Sequence, residues 1–264
     1  MEPAARFQRE ARAFHAAARR AAEAGDAPVV PSCPGWSMSD LVLHLGGVHR
    51  SVNAIIRDRL GGPPELAGLV RAELPADTSG WPAPDSAPTM GPIPSTLLDW
   101  FAEGAEQLAA RFRAHAPDEP AWTWSSEQTV GFWLRVQTIE AAVHRWDAEN
   151  ALGAPRPISE EVAADAITHT FEVMAPARRA WADAPEGAGE RFRFVRTDGP
   201  GEWVVSFEGG QVRLGDSGGD PDVEAAGTAS DLALFLWHRI PAGTLGVRGD
   251  PTLLDRYFAL VPPV

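Results

Sequence analysis

The sequence predicts a chain of two parts, a helical bundle over residues 1–183 and a small α+β domain over 190–264. Three observations lead there. Apolar residues recur at helical spacing up to about residue 181. Around "DAPEGAGE", residues 183–190, the residues turn small and acidic, as in a linker. Beyond it apolar and polar residues alternate between glycine-rich turns, the pattern of short strands.

Each element has a local reason. Residues 4–25 are rich in Ala, Arg and Glu, carry Phe7 and Phe14 on one face, and end at "AGDAP". A second helix follows in "PSCPGWSMSDLVLHLGGVHRSVNAIIRDRLGG". Ser37 or Ser39 can cap it, Asp40 suits its first turn, and Gly61 and Gly62 stop it. Pro, Gly and Ser accumulate over 61–93, which predicts a long loop. A third helix is expected over 94–115, carrying Leu97, Leu98, Phe101, Leu108 and Phe112. The fourth runs over 131–151, with Gly153 and Pro155 beyond its end. The fifth, 158–181, opens at Ser159 with Glu160 and Glu161 behind it and completes the bundle as an extra helix.

After the linker, "RFRFVRT", "GEWVVSFEGG", "QVRLGD" and "PDVEAAGT" read as strands. Ser230 and Asp231 open a helix through "DLALFLWHRI", and a last helix follows "GVRG" at 251–260.

Composition removes several function classes. The formal net charge is −13, from 23 basic and 36 acidic residues, and such a surface repels a phosphate backbone. All the basic residues are arginine. One cysteine, Cys33, allows neither an intrachain disulfide nor a cysteine-rich zinc site. The N-terminal residues have no signal-peptide core, and "LALFLW" is too short to span a bilayer. A soluble, cytoplasmic protein without nucleic-acid or membrane partners is expected. No Gly-x-Gly-x-x-Gly joins a strand to a helix, so a dinucleotide fold is not expected.

The chemistry lies in "QTIEAAVHRWDAEN", residues 137–150. Glu140 and His144 stand one turn apart, on a strip with Trp133, Val136, Val143 and Asp147. On the second helix His44 borders the stripe Leu41, Leu45, Val48, Val52 and Ile55. Alone, each has a plain reading as a boundary histidine or an exposed i,i+4 pair. Together they form a His, Glu, His set of the kind that holds catalytic zinc with one position open. His49 is a rival to His44 but lies about 140° round the helix, so both cannot easily face one ion.

The remaining polar candidates have structural readings. Cys33 reads as a buried structural thiol. Asp147 reads either as an orienting partner for a ligating histidine or as an exposed carboxylate. Arg135 either pairs with a core carboxylate or faces solvent. Trp36, Trp133 and Trp146 read as packing residues, and His169 as a helix-surface residue.

"VPSCPGWSMSDLVLHLGGVHR" followed by "FWLRVQTIEAAVHRWDAE" closely resembles the mycothiol-dependent maleylpyruvate isomerase family, among the DinB-like metal-binding bundles. The region with "LALFLWHRI" resembles that family's small sterol-carrier-like domain. The resemblance implies metal ligands at His44, Glu140 and His144, and it favours His44 over His49. It implies zinc or another divalent metal as cofactor and mycothiol as cosubstrate. It also points to Arg239 as the C-terminal arginine implicated in activity, suited to holding a substrate carboxylate. Three readings follow. The first is a thiol-dependent cis-trans isomerase or thiol-transfer enzyme. The second is a mycothiol S-transferase acting on an electrophile. The third is a non-catalytic small-molecule-binding protein with a structural metal.

Overall fold

The computed structural model describes residues 2–83, 86–215 and 220–263. Two compact units divide at Arg156 and Pro157. That division precedes the linker expected at 183–190, and segment 158–181 goes with the second unit. An amphipathic helix reads alike in sequence whether it packs on helices or on a sheet.

The first unit is built on four long helices: α1 (Pro3–Glu23), α2 (Met38–Arg57), α4 (Ser95–Ala114) and α5 (Val130–Ala151). A short α3 (Leu66–Ala72) interrupts the stretch expected to be loop. It went unrecognised because it is seven residues long and buries none of them. Phe7 and Phe14 of α1 meet Leu41 and Leu45 of α2 and Leu97, Phe101 and Leu108 of α4 in a fully buried core.

Buried residues surround α5, like α2, on nearly every side. Its polar residues must therefore find partners inside the protein. Arg145 Nε donates to Glu10 of α1 at 2.9 Å, and its Nη1 donates to Glu149 at 2.7 Å and to the Arg156 carbonyl at 2.8 Å. This buried network joins α1 and α5. No helix among the described residues is long and apolar enough to cross a membrane.

The second unit is α+β. After α6 (Glu160–His169), a π-helical turn (Thr170–Met174) and α7 (Ala175–Trp181), a five-stranded sheet forms. Its strands are β1 (Gly187–Arg196), β2 (Glu202–Gly209), β3 (Gln211–Leu214), β4 (Val223–Gly227) and β5 (Gly246–Gly249), ordered β3-β2-β1-β4-β5. Among the described residues, only β1 and β4 pair in parallel. "GVRG" is thus an edge strand, and the Asp216 end of "QVRLGD" lies outside the described residues.

α8 (Ala229–Leu236) and α9 (Thr252–Leu260) complete the unit. Alternate residues Phe192, Phe194, Val205 and Phe207 face inward, where Phe192, Phe194 and Phe207 ring Tyr257 of α9 at 5.5–6.0 Å between centroids. His169, expected on a helix surface, is instead buried at the end of α6.

Candidate metal centre

Local chemistry fixes where His44 stands. α2 opens with a capping box in which Ser37 N donates to Asp40 at 2.8 Å and Asp40 N donates to Ser37 Oγ at 3.4 Å. The amide and hydroxyl of Thr89 add bonds of 2.9 and 2.8 Å to the same carboxylate. Burial alone would raise the Asp40 carboxyl, but these donors outweigh it and hold the group below the usual carboxylate range. His44 follows in the second turn, its ring 4.8 Å from that of Trp36. α5 is capped by Thr129, whose Oγ1 accepts from Phe132 N at 3.1 Å. Glu140, His144 and Asp147 then fall on successive turns of one face.

The two helices bring His44, Glu140 and His144 together. One ligand atom from each lies within 4.8 Å of the others. His44 Nε2 is 3.4 Å from Glu140 Oε1, and the two imidazole rings meet at 5.3 Å and 82°. Bonds of 2.0–2.1 Å to a tetrahedral zinc place neighbouring donors about 3.3–3.4 Å apart, so the His44–Glu140 spacing fits one edge of such a site.

The carboxylate is also restrained. Gln137 Nε2 donates to Glu140 Oε2 at 2.9 Å. Burial would raise the Glu140 carboxyl, but the hydrogen bond from His44 and electrostatic coupling to the surrounding imidazoles bring it down to about 2. It therefore stays an anion at neutral pH.

Behind the triad stands a second layer. His144 Nδ1 donates to Asp147 Oδ2 at 2.9 Å, and Asp147 has no exposed surface. Asp147 also accepts from Ser32 Oγ at 2.6 Å and Cys33 Sγ at 3.5 Å. With Nδ1 engaged, Nε2 is the His144 nitrogen for a cation, the arrangement that orients a metal-ligating histidine. Asp147 is therefore a buried partner of His144 and not an exposed carboxylate. Cys33, His144 and Asp147 form a second cluster within 4.8 Å, but the hydrogen bonds among them already use its atoms.

The other candidates fall elsewhere. His49 is fully buried between Phe7 and Phe101, at centroid distances of 5.1 and 5.4 Å. Burial pulls its imidazole down to about 3, and neither ring nitrogen has a hydrogen-bond partner among the described residues. It is a neutral core residue. Cys33 is only half-buried, and Trp133 and Trp146 are buried, as packing residues should be. Arg239 belongs to the second unit, in the turn after α8, where its Nη1 donates to the Trp237 carbonyl at 2.7 Å. Gln137 escaped the sequence reading, although its place three residues before Glu140 put it on the same helix face.

The site is graded in access: the His44 side chain is 34% exposed, Glu140 18% and His144 8%. On the His44 side a cleft of about 310 Å³ opens between α2 and α3 and reaches Trp133 of α5.

Fold and site together define a four-helix bundle with an internal His-Glu-His cluster, followed by a small α+β unit. Residues 7–149 match the family model of the mycothiol maleylpyruvate isomerase N-terminal domain, and residues 161–256 match that of the MDMPI C-terminal domain. The chain belongs to the mycothiol maleylpyruvate isomerase family. Its fold is similar to a crystal structure of the mycothiol-dependent maleylpyruvate isomerase, with a TM-score of 0.59, 13% identity, and coverage of 94% of this chain and 93% of that one. A histidine-to-alanine mutant of the same enzyme gives a TM-score of 0.61 at 12% identity, covering 93% and 91%. Among curated proteins, none matches the chain significantly.

Proposed function

We propose that this chain is a divalent-metal-dependent enzyme that uses mycothiol in a maleylpyruvate isomerase-like reaction. The observation that carries the reading is the convergence of His44, Glu140 and His144 from two helices, with His144 oriented by a buried Asp147. Two neutral imidazoles and a carboxylate suit zinc, and three protein donors leave a position for a small molecule. A divalent cation held there supplies Lewis acidity that keeps a thiol deprotonated at neutral pH.

The chain's own residues do the rest. Glu140 contributes the single negative charge, kept ionised by the neighbouring imidazoles and held in place by Gln137. Asp147 fixes the tautomer of His144. The thiolate adds to the activated double bond, the former double bond rotates, and elimination returns the thiol with the trans product. For Arg239 we propose the role implied by the family pattern, recognition of a substrate carboxylate, tested by a rise in KM in Arg239→Gln. A thiol-transferase variant of the chemistry would stop at the adduct.

The experiment is metal analysis joined to a mycothiol-dependence assay. About one divalent ion per chain, lost in His144→Ala together with thiol-dependent turnover, supports the proposal. Full thiol-dependent turnover by metal-free protein refutes it.

A further inference from the structure

The cleft beside His44 has a chemistry that neither mycothiol nor a dicarboxylate explains. His44, Gly47, Val48, Ser51, Val52 and Ile55 lie on one face of α2 at offsets of 0, 3, 4, 7, 8 and 11 residues. The surface open on that face is at His44 and Val48, while Gly47, Ser51, Val52 and Ile55 are buried and form the floor of the cleft. Leu66 and Val70 of α3 line the opposite side, and Trp133 of α5 adds an aromatic surface. Apart from His44 the lining carries no ionisable group, and its only side-chain hydroxyl is that of Ser51.

A dianion or a polar glycosyl thiol placed along such a wall would lose hydration without gaining partners. An apolar chain would gain contact at every carbon. α3 is shaped for this: none of its residues is buried, and Leu66 is 49% exposed. Its far end is nevertheless anchored, because Arg57 pairs with Glu73 at 2.9 Å and Trp100 Nε1 donates to the Glu73 carbonyl at 2.8 Å. The cover is held in place while its apolar side chains stay uncovered.

We propose that the substrate is an electrophile with an uncharged apolar arm, which lies beside His44 and Val48 of α2 and against Leu66 and Val70 of α3. The proposal rests on the thiol-dependent reading for its electrophile and on the cleft for its arm, and the two can be tested apart. Metal-loaded full-length protein is assayed with mycothiol on cis-4-oxo-2-alkenoates whose alkyl tails run from methyl to octyl. kcat/KM should rise about three- to fourfold per methylene until the cleft is filled. Val70→Asp should flatten that dependence while metal content stays at the wild-type level.

Saturated 4-oxoalkanoates, which cannot take up a thiol, give a second measurement by calorimetry. Dissociation constants should tighten with tail length in the wild type and much less in Val70→Asp. Binding that is flat with tail length, or a gradient that Val70→Asp leaves intact, overturns the apolar arm. Tail-dependent binding without turnover of any member upholds the arm and overturns the enzymatic reading alone.

Discussion

His144 Nδ1 stands 2.9 Å from Oδ2 of an Asp147 that has no exposed surface. A carboxylate so placed holds the imidazole in one tautomer and makes its other nitrogen a better donor to a cation. Asp147→Asn keeps the shape and removes the charge. Metal affinity should fall about 10- to 100-fold, read by competition with a chromogenic chelator, with the fold retained. Unchanged affinity would show that Asp147 only packs.

Cys33 lies close enough to His144 and Asp147 to suggest a sulfur ligand. The hydrogen bonding argues otherwise, because its Sγ is directed to Asp147. Cys33→Ala should therefore retain about one metal per chain. Loss of the metal in Cys33→Ala, with retention in His44→Ala, would move the centre to the second cluster.

The start of α2 has a predictable response to acid. Asp40 has its carboxyl held below the ordinary value by Ser37 and Thr89, so its stabilisation is present above the unfolded-state pKa. As pH falls through the lowered folded-state value, that stabilisation is lost. Asp40→Asn should cost about 1–2 kcal/mol near pH 7, and the gap to the wild type should close in acid. Denaturant titrations at a series of pH values check the sign.

Two adjacent glycines in α2 should respond in opposite ways. A Cβ on Gly46 would collide with the Trp100 ring, which is tied through Nε1 to Glu73. A Cβ on Gly47 would meet the Val70 methyls at 3.5 and 3.6 Å, ordinary contact. Gly46→Ala should lower stability by about 1–3 kcal/mol. Gly47→Ala should be neutral or stabilising by up to about 1 kcal/mol, as expected when alanine replaces a helical glycine. Thermal melts of the two variants separate them.

How much of this was legible before the coordinates depends on the range of each signal. Glu140 and His144 were readable as a pair because helical spacing is local, and Ser37 with Asp40 marks the start of α2 directly, whereas His44, on a distant helix, was joined to them by the family resemblance. Burial of Asp147 was not readable, since its partners Ser32 and Cys33 sit more than a hundred residues away. α3 escaped notice because a seven-residue helix without a buried face leaves little periodicity. The sequence sets the first part's end at 183 because α6 and α7 carry the same amphipathic text as a bundle helix, while the compact units divide at Arg156 and Pro157. The aromatic alternation of β1 and β2 was plain, but "GVRG" has too few side chains to announce an edge strand.

The π-helical turn at Thr170–Met174 sets the azimuth of everything after it. One additional residue per turn rotates the following helix by about 100°. That phase aims Arg179 at the carbonyls of Leu260, Gly209 and Pro185, at 2.8, 2.9 and 3.1 Å. A single guanidinium thereby clasps the end of α9, the β2 hairpin and the entry to the sheet. Chain length between α6 and α7 is consequently not adjustable: one residue fewer would swing the clasp away from all three.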